Sequence, residues 1–257
     1  MISKNEFKLW LRSGSLQFAM NNRSGKTQDE STLSWNGHTI HYRAGTSDPH
    51  VIHSILLKRG KKAEYFVPAN ITPTTILDIG GNIGAAALYF AKTYPMAKIF
   101  SFEPIPANYA LLEKNITPYP AICGYNVALG GRDETIELIE SPSASNYGGF
   151  SMFQRGATET CRRIPVTCRN ADAMLAEIGI EVPDIIKVDT EGAEWTILTS
   201  FSKDVLSKVG WILGELHGEN DFELLAYLSQ WFDIGIRKSF RSPLCNFHAR
   251  NRALTAT

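Results

Sequence analysis

The sequence predicts an α/β domain built on a seven-stranded, mostly parallel sheet with helices on both faces and an N-terminal cap. Three observations carry this expectation. From Thr74 onward, short apolar strands alternate with helical stretches, the pattern of parallel strands joined by crossover helices. The first of these strands runs into a glycine-rich turn, Asp78-Ile-Gly80-Gly81-Asn82-Ile-Gly84, just before a helix. The next strand, KIFSFEP, ends in the acidic Glu103, which falls at the same carboxyl edge of the sheet. A chain of 257 residues suits one large domain with an extension, divided here into residues 1–70 and a ligand-binding domain over 71–257.

Taken in order, MISKNEFKLWLRSGSL places Phe7, Trp10 and Leu11 at helical spacing, a short amphipathic helix that covers the core. Asn21 to Ser34 is polar and rich in Ser, Asn and Gly, and reads as a linker. HTIHYRAG alternates as a strand does, and SDPHVIHSILLKRG reads as a helix with Ser47 or Asp48 as its N-cap. The alternating unit follows: strand TTILDIG, helix AAALYFAKTYP, strand KIFSFEP, helix NYALLEKNI and strand AICGYNVAL. Strand ETIELIE, a Ser/Gly/Asn loop from Ser141 to Gly149 and strand RRIPVTC come next. The unit resumes with helix ADAMLAEIG, the buried strand DIIKVD, a helix from about Ala193, strand WILGEL, helix DFELLAYLSQWF and strands near Ile234 and Phe247.

Composition narrows the function. Hydrophobic residues make up 44% and charged residues 20%, values of an ordinary globular protein. Lys plus Arg equal Asp plus Glu at 26 each, so the chain lacks the field of a protein that tracks a phosphate backbone, and no nucleic-acid partner is expected. Lys58, Arg59, Lys61 and Lys62 read as a solvated helix end. Cys123, Cys161, Cys168 and Cys245 form no C-x-x-C pair. Charges at Lys4, Glu6, Lys8 and Arg12 interrupt the N-terminus, which has neither a signal-peptide core nor a transmembrane stretch. The expectation is a cytoplasmic protein, with homo-oligomers open.

The glycines of the 78–84 turn let the chain reverse sharply and let a ligand approach the backbone. Glu103 beside them would accept hydrogen bonds from both hydroxyls of a ribose, which together imply an adenosine ligand. The spacing is not the G-x-G-x-x-G of a dinucleotide site, and Asp78 would repel a pyrophosphate while facing the ammonium of a methionine. S-adenosylmethionine fits these features better than a nicotinamide cofactor.

D-x-G-x-N-x-G at 78–84, the F-E-P strand end at 102–104, N-V-A-L-G at 126–130 and K-V-D-T-E-G-A-E at 187–194 together resemble the FkbM family of methyltransferases. The resemblance runs from about Thr39 to Phe247 and takes in Asp48 and Glu64-Tyr65 of the cap. It implies a Rossmann-like class I methyltransferase fold, S-adenosylmethionine as donor and O-methylation of a hydroxyl on a sugar, glycan or natural product. Donor contacts are then expected at Tyr65, Asp78, Gly80, Asn82, Gly84, Glu103, Pro104, Asn126 and Asp189.

Attack by a hydroxyl oxygen requires a group to take its proton. Asp189 closes the buried strand DIIKVD at the ligand-binding edge and is the first candidate base, with Lys187 on the same strand face to keep it ionised. Glu215 and His217 fall two residues apart at the end of WILGEL, which makes His217 the second candidate base. Asp189, Glu215 and His217 could also hold a divalent metal. Glu191 and Glu194 sit on the turn after Asp189, where Glu194 would stabilise the helix N-terminus. His38, His41, His50, His53 and His248 read as surface or packing residues. The loop with Tyr147 and Phe150 could close over an acceptor. A nicotinamide-dependent sugar oxidoreductase or epimerase and a non-catalytic S-adenosylmethionine-binding protein are the alternatives.

Overall fold

The computed structural model describes residues 3–22, 29–67, 71–140, 161–217, 220–238 and 245–255. The loop with Tyr147 and Phe150 lies outside them. α1 (Lys4–Ser13) opens with a reciprocal cap between Ser3 and Glu6 and ends at Gly14 in the left-handed region. α2 (Leu16–Asn21) follows. β1 (Glu30–Trp35) and β2 (His38–Arg43) form a hairpin through Asn36 and Gly37, whose φ angles of 51° and 83° match the mirror-image turns that suit strand twist. β1 thus corrects the reading of Asn21–Ser34 as a linker. Only Leu33 of this strand is fully buried, so the stretch carries almost no period-two apolar signal.

α3 (Asp48–Ile52) continues into a π-helical turn, His53–Leu57. Its N-cap is Ser47, without a side-chain capping bond; Asp48 is instead fully buried against Arg43, accepting from Nε at 2.8 Å, Nη2 at 3.0 Å and the backbone N–H at 2.8 Å. The main unit runs β3 (Thr75–Ile79), α4 (Ala85–Thr93), β4 (Lys98–Phe102), α5 (Pro106–Ile116), β5 (Ile122–Tyr125) and β6 (Ala128–Gly130). It continues with β7 (Glu134–Ile139), β8 (Arg163–Asn170), α6 (Ala171–Glu177), β9 (Ile185–Val188), α7 (Glu194–Ser200) and α8 (Lys203–Leu206). β10 (Trp211–Leu216), α9 (Asp221–Leu228), β11 (Phe232–Lys238) and β12 (Cys245–Asn251) complete it.

The seven-stranded sheet has the order β11-β12-β10-β9-β3-β4-β5, parallel except where β12 pairs antiparallel with both β10 and β11. AICGYNVAL is not one strand. It splits into β5 at the sheet edge and β6, which joins β8 and β7 in a separate three-stranded sheet.

Alternation along the central strands divides the apolar side chains between two cores. Ile76, Ile99, Ile122 and Ile185 pack with α4, α5 and the cap, including Phe18, Ile40 and Tyr42. Leu77, Ile79, Phe100, Phe102, Ile186 and Val188 pack against α6, α7 and α9. Asn115 of α5 ties cap to domain, accepting from the His41 N–H at 2.7 Å and donating to the carbonyls of His41 and Ile83 at 2.9 and 2.8 Å. The strand order reverses at β3, whose neighbours β4 and β9 connect to opposite sides. Such a switch point opens a crevice at the carboxyl ends of the strands.

Candidate active site

The segments that follow β3, β4 and β9, and the end of β10, each bring polar groups to this crevice. Gly80, Asn82 and Gly84 all have φ in the left-handed region, at 81°, 49° and 87°, so β3 can turn at once into α4. The N–H groups of Gly80 and Gly81 both donate to the Phe102 carbonyl at 2.9 Å, which fastens the turn to the end of β4. A Cβ on Gly80 would overlap the Asp189 carbonyl, so β3 and β9 meet there in backbone contact.

Glu103 is buried and its carboxylate is held by the turn it faces. Oε2 accepts from the Asn82 N–H at 2.8 Å, and Oε1 from the Ile105 N–H at 2.9 Å. Burial pushes its carboxyl above the usual range, and these amides, with Asn108, pull the other way. The Oδ1 atom of Asn82 is buried and lacks a hydrogen-bond partner among the described residues.

These residues line one end of a cavity of about 340 Å³, within the range of ligand sites. At its other end stand His50, Glu64, Tyr65, Asp189, Glu191 and Glu215. The Tyr65 hydroxyl donates to Asp189 Oδ2 at 2.6 Å, fixing one oxygen of the carboxylate. Gly80, Asn82, Glu103, Pro104, Tyr65 and Asp189 therefore share one cavity.

Other expected site residues lie elsewhere. Asp78 is fully buried behind the cavity wall: its Oδ2 accepts from Ser101 at 2.7 Å, and its Oδ1 lies 3.0 Å from Lys187 Nζ. Strand register explains this, because Asp78 is aligned with Ser101 on β4 and with Lys187 on β9. Lys187 is thus the partner of Asp78 rather than of Asp189, and its ammonium also donates to the Gly80 carbonyl at 2.6 Å. Gly84 and Asn126 do not line the cavity; Asn126 braces it from outside, donating to the carbonyls of Glu103 and Pro104 at 2.8 and 3.1 Å.

His217 also sits outside the cavity wall, ringed by carboxylates. Its Nδ1 lies 3.3 Å from Glu194, and its Nε2 lies 3.3 Å from Glu215, 3.8 Å from Asp189 and 3.9 Å from Glu191. Burial alone would lower its pKa, but the nearby carboxylates of Glu194, Glu215 and Asp189 prevail and raise it to about 11. A ring that carries this proton must first release it before Nε2 can accept a proton or a metal ion. Glu194 accepts from the backbone N–H of Thr190 at 2.8 Å and of Gly192 at 3.0 Å, organising the entry to α7. Burial raises Glu191 to about 7, reinforced by Asp189 and Glu215 against the pull of His217.

Two titratable residues of the acidic end escaped the sequence reading. His50, read as surface or packing, lines the acidic end, and burial followed by the Lys58 charge holds its pKa below the usual range. Glu64, noted only as part of a cap pattern, lines the same end and is raised by burial and by Asp189 and Glu215 against a bond from Ser54. The one available signal for Glu64 was its place beside Tyr65.

A model of the methyltransferase FkbM domain matches residues 78–240, more than half of the chain. The chain belongs to the FkbM methyltransferase family. Its cap, with Asp48, Glu64 and Tyr65, precedes the matched FkbM segment. Among curated relatives of this FkbM chain, the 2-O-methyltransferase NoeI of Sinorhizobium fredii is 28% identical over 161 residues, 58% of this chain and 65% of that protein. The hexuronic acid methyltransferase AglP of Haloferax volcanii is 26% identical over 145 residues, 56% of each. The crystal structure of a methyltransferase FkbM from Methylobacillus flagellatus KT aligns with a TM-score of 0.54 at 17% identity, covering 75% of this chain and 48% of that one, and shows the shared fold. Across the curated relatives it matches, the chain spans from 8% to 76% of their lengths. No helix among the described residues is long and apolar enough to cross a membrane.

Proposed function

We propose that this chain transfers a methyl group from S-adenosylmethionine to a hydroxyl of a sugar, glycan or related natural product. The observation that carries the reading is one cavity joining the Gly80–Asn82 turn and Glu103 to Asp189. The fit to the donor rests on Asn82 Oδ1, a buried acceptor in the cavity wall without a partner among the described residues, and on Glu103, whose Oε2 keeps a lone pair beyond its bond from Asn82 while Oε1 also accepts from Asn108 Nδ2 at 3.4 Å. Glu103 would hold the ribose hydroxyls, and Asn82 a donor N–H or hydroxyl. S-adenosylmethionine supplies an electrophilic methyl group on a sulfonium.

The chain's own part is positioning and proton removal. Alignment of the acceptor oxygen with the methyl–sulfur bond contributes most of the acceleration in such a displacement. Asp189 accepts the hydroxyl proton, oriented by Tyr65. The name of NoeI, a 2-O-methyltransferase, favours a hydroxyl acceptor, and that of AglP, a hexuronic acid methyltransferase, favours a sugar-like one. Family membership favours methyl transfer over the nicotinamide-dependent reading.

Asp189→Asn keeps size and removes the proton acceptor, so kcat should fall by about a hundredfold or more while donor affinity changes little. Near-normal turnover of a folded Asp189→Asn enzyme, measured with labelled donor on a glycan panel, would assign the proton to another group.

A further inference from the structure

Among the described residues, the acidic end of the cavity gathers more carboxylates than cationic side chains. Glu64, Asp189, Glu191 and Glu215 line it, with Glu194 behind. Lys187 is committed to Asp78 and to two backbone carbonyls, while the His217 ring is in contact with four of these carboxylates and would lose the proton on Nε2 when an ion binds there. Partly buried carboxylates gathered this closely favour a bound cation or shared protons.

Geometry adds an independent pointer. One ligand atom from each of Asp189, Glu215 and His217 lies within 4.8 Å of the other two. The His217 side chain is 7% exposed, and its Nε2 is buried without a hydrogen-bond partner among the described residues, aimed at Glu215 Oε2 and Asp189 Oδ1. Its Nδ1 is oriented by Glu194, the outer carboxylate that commonly fixes a ligating imidazole.

We propose that Asp189, Glu215 and His217 bind one divalent cation of the Mg²⁺ or Mn²⁺ class through Asp189 Oδ1, Glu215 Oε2 and His217 Nε2. Two carboxylate oxygens and one imidazole nitrogen suit such an ion. Three protein ligands leave coordination positions for water or for acceptor hydroxyls, so the ion would recognise a polyhydroxylated acceptor. Asp189 Oδ2, held by Tyr65, stays outside the ligand set and retains a lone pair for the proton. This site deepens the hydroxyl-methylating reading and rests on it for the acceptor, not for ion binding.

The test uses the full chain, stripped with chelator and free of donor and acceptor, titrated with Mn²⁺ and followed by the loss of the free-ion electron paramagnetic resonance signal. The expected result is one bound Mn²⁺ per chain, with echo modulation from an imidazole nitrogen that vanishes in His217→Gln. Affinity should fall at least tenfold in both Glu215→Gln and His217→Gln, each checked for retained fold by circular dichroism. No binding by the wild type at millimolar Mn²⁺, or binding unchanged in both variants, overturns the site. If the wild type binds S-adenosylmethionine but not Mn²⁺, the ion site alone fails; if it binds Mn²⁺ but not the donor, the donor reading alone fails.

Discussion

Gly80→Ala tests how closely the donor turn and the candidate base depend on one another. Two effects of the substitution are separable. The first is backbone strain: Gly80 has φ of 81°, where a non-glycine residue costs about 1–2 kcal/mol. The second is collision, because the new Cβ would overlap the Asp189 carbonyl and lie 3.0 Å from its carbonyl carbon and 3.3 Å from Thr190 Cγ2. Relieving it pushes the end of β9 away from β3, at an overpacking cost of roughly 1–3 kcal/mol. The sum is about 2–5 kcal/mol of stability. A displacement of Asp189 on the order of 1 Å should lower kcat by about a hundredfold. Gly37→Ala supplies the control, since φ there is 83° but nothing lies within 4 Å of an added Cβ. It should lose only about 1–2 kcal/mol and no turnover. Urea unfolding and donor-saturated kinetics on both variants decide the matter. If Gly80→Ala loses no more stability than Gly37→Ala and turns over normally, the close packing of these strand ends does not position Asp189.

Asp48→Ala should cost about 3–5 kcal/mol, because it breaks a buried bidentate pair and leaves the Arg43 charge uncompensated by its carboxylate. A loss below about 1 kcal/mol in urea unfolding would show that the pair contributes little. The cap should also weaken in acid through His53, whose ring lies 2.6 Å from Arg12 Nη1. Burial first, then the Arg12 and Lys58 charges, lower His53 to about 4 from an ordinary 6.5, so the unfolded chain binds the proton more readily than the folded one. The stability is complete above pH 6.5 and drains away as pH falls toward 4. With the ring half-buried and screened, the loss is about 1 kcal/mol. Equal acid sensitivity in the wild type and His53→Gln would refute this assignment.

Much of the fold was legible because its signals are local. The glycine turn, the strand ending at Glu103 and the apolar run DIIKVD each declare an element and an edge, and the shared edge brings Gly80, Glu103 and Asp189 into one cavity. What stayed hidden depends on register and on partners distant in sequence. Lys187 and Asp189 share a strand face, but the fate of Lys187 is decided by alignment with Asp78 across β3 and β9. His217 has the residue type of a base, yet its protonation follows from four carboxylates brought in from β9, β10 and the α7 turn. β1 was missed because just one of its side chains is fully buried, and the break after β5 because AICGYNVAL reads as a continuous strand. His50 and Glu64 come from the cap, whose docking against the sheet no local pattern announces.

Calorimetric titration of the wild type and Glu103→Ala with S-adenosylmethionine, and of the wild type with NAD, tests the central claim most directly. The account predicts that the wild type binds the donor and not NAD. Losing charge-assisted bonds worth about 1.5–3 kcal/mol each should weaken the folded Glu103→Ala variant by at least tenfold. Unchanged donor affinity in Glu103→Ala, or preferential binding of NAD by the wild type, would contradict it.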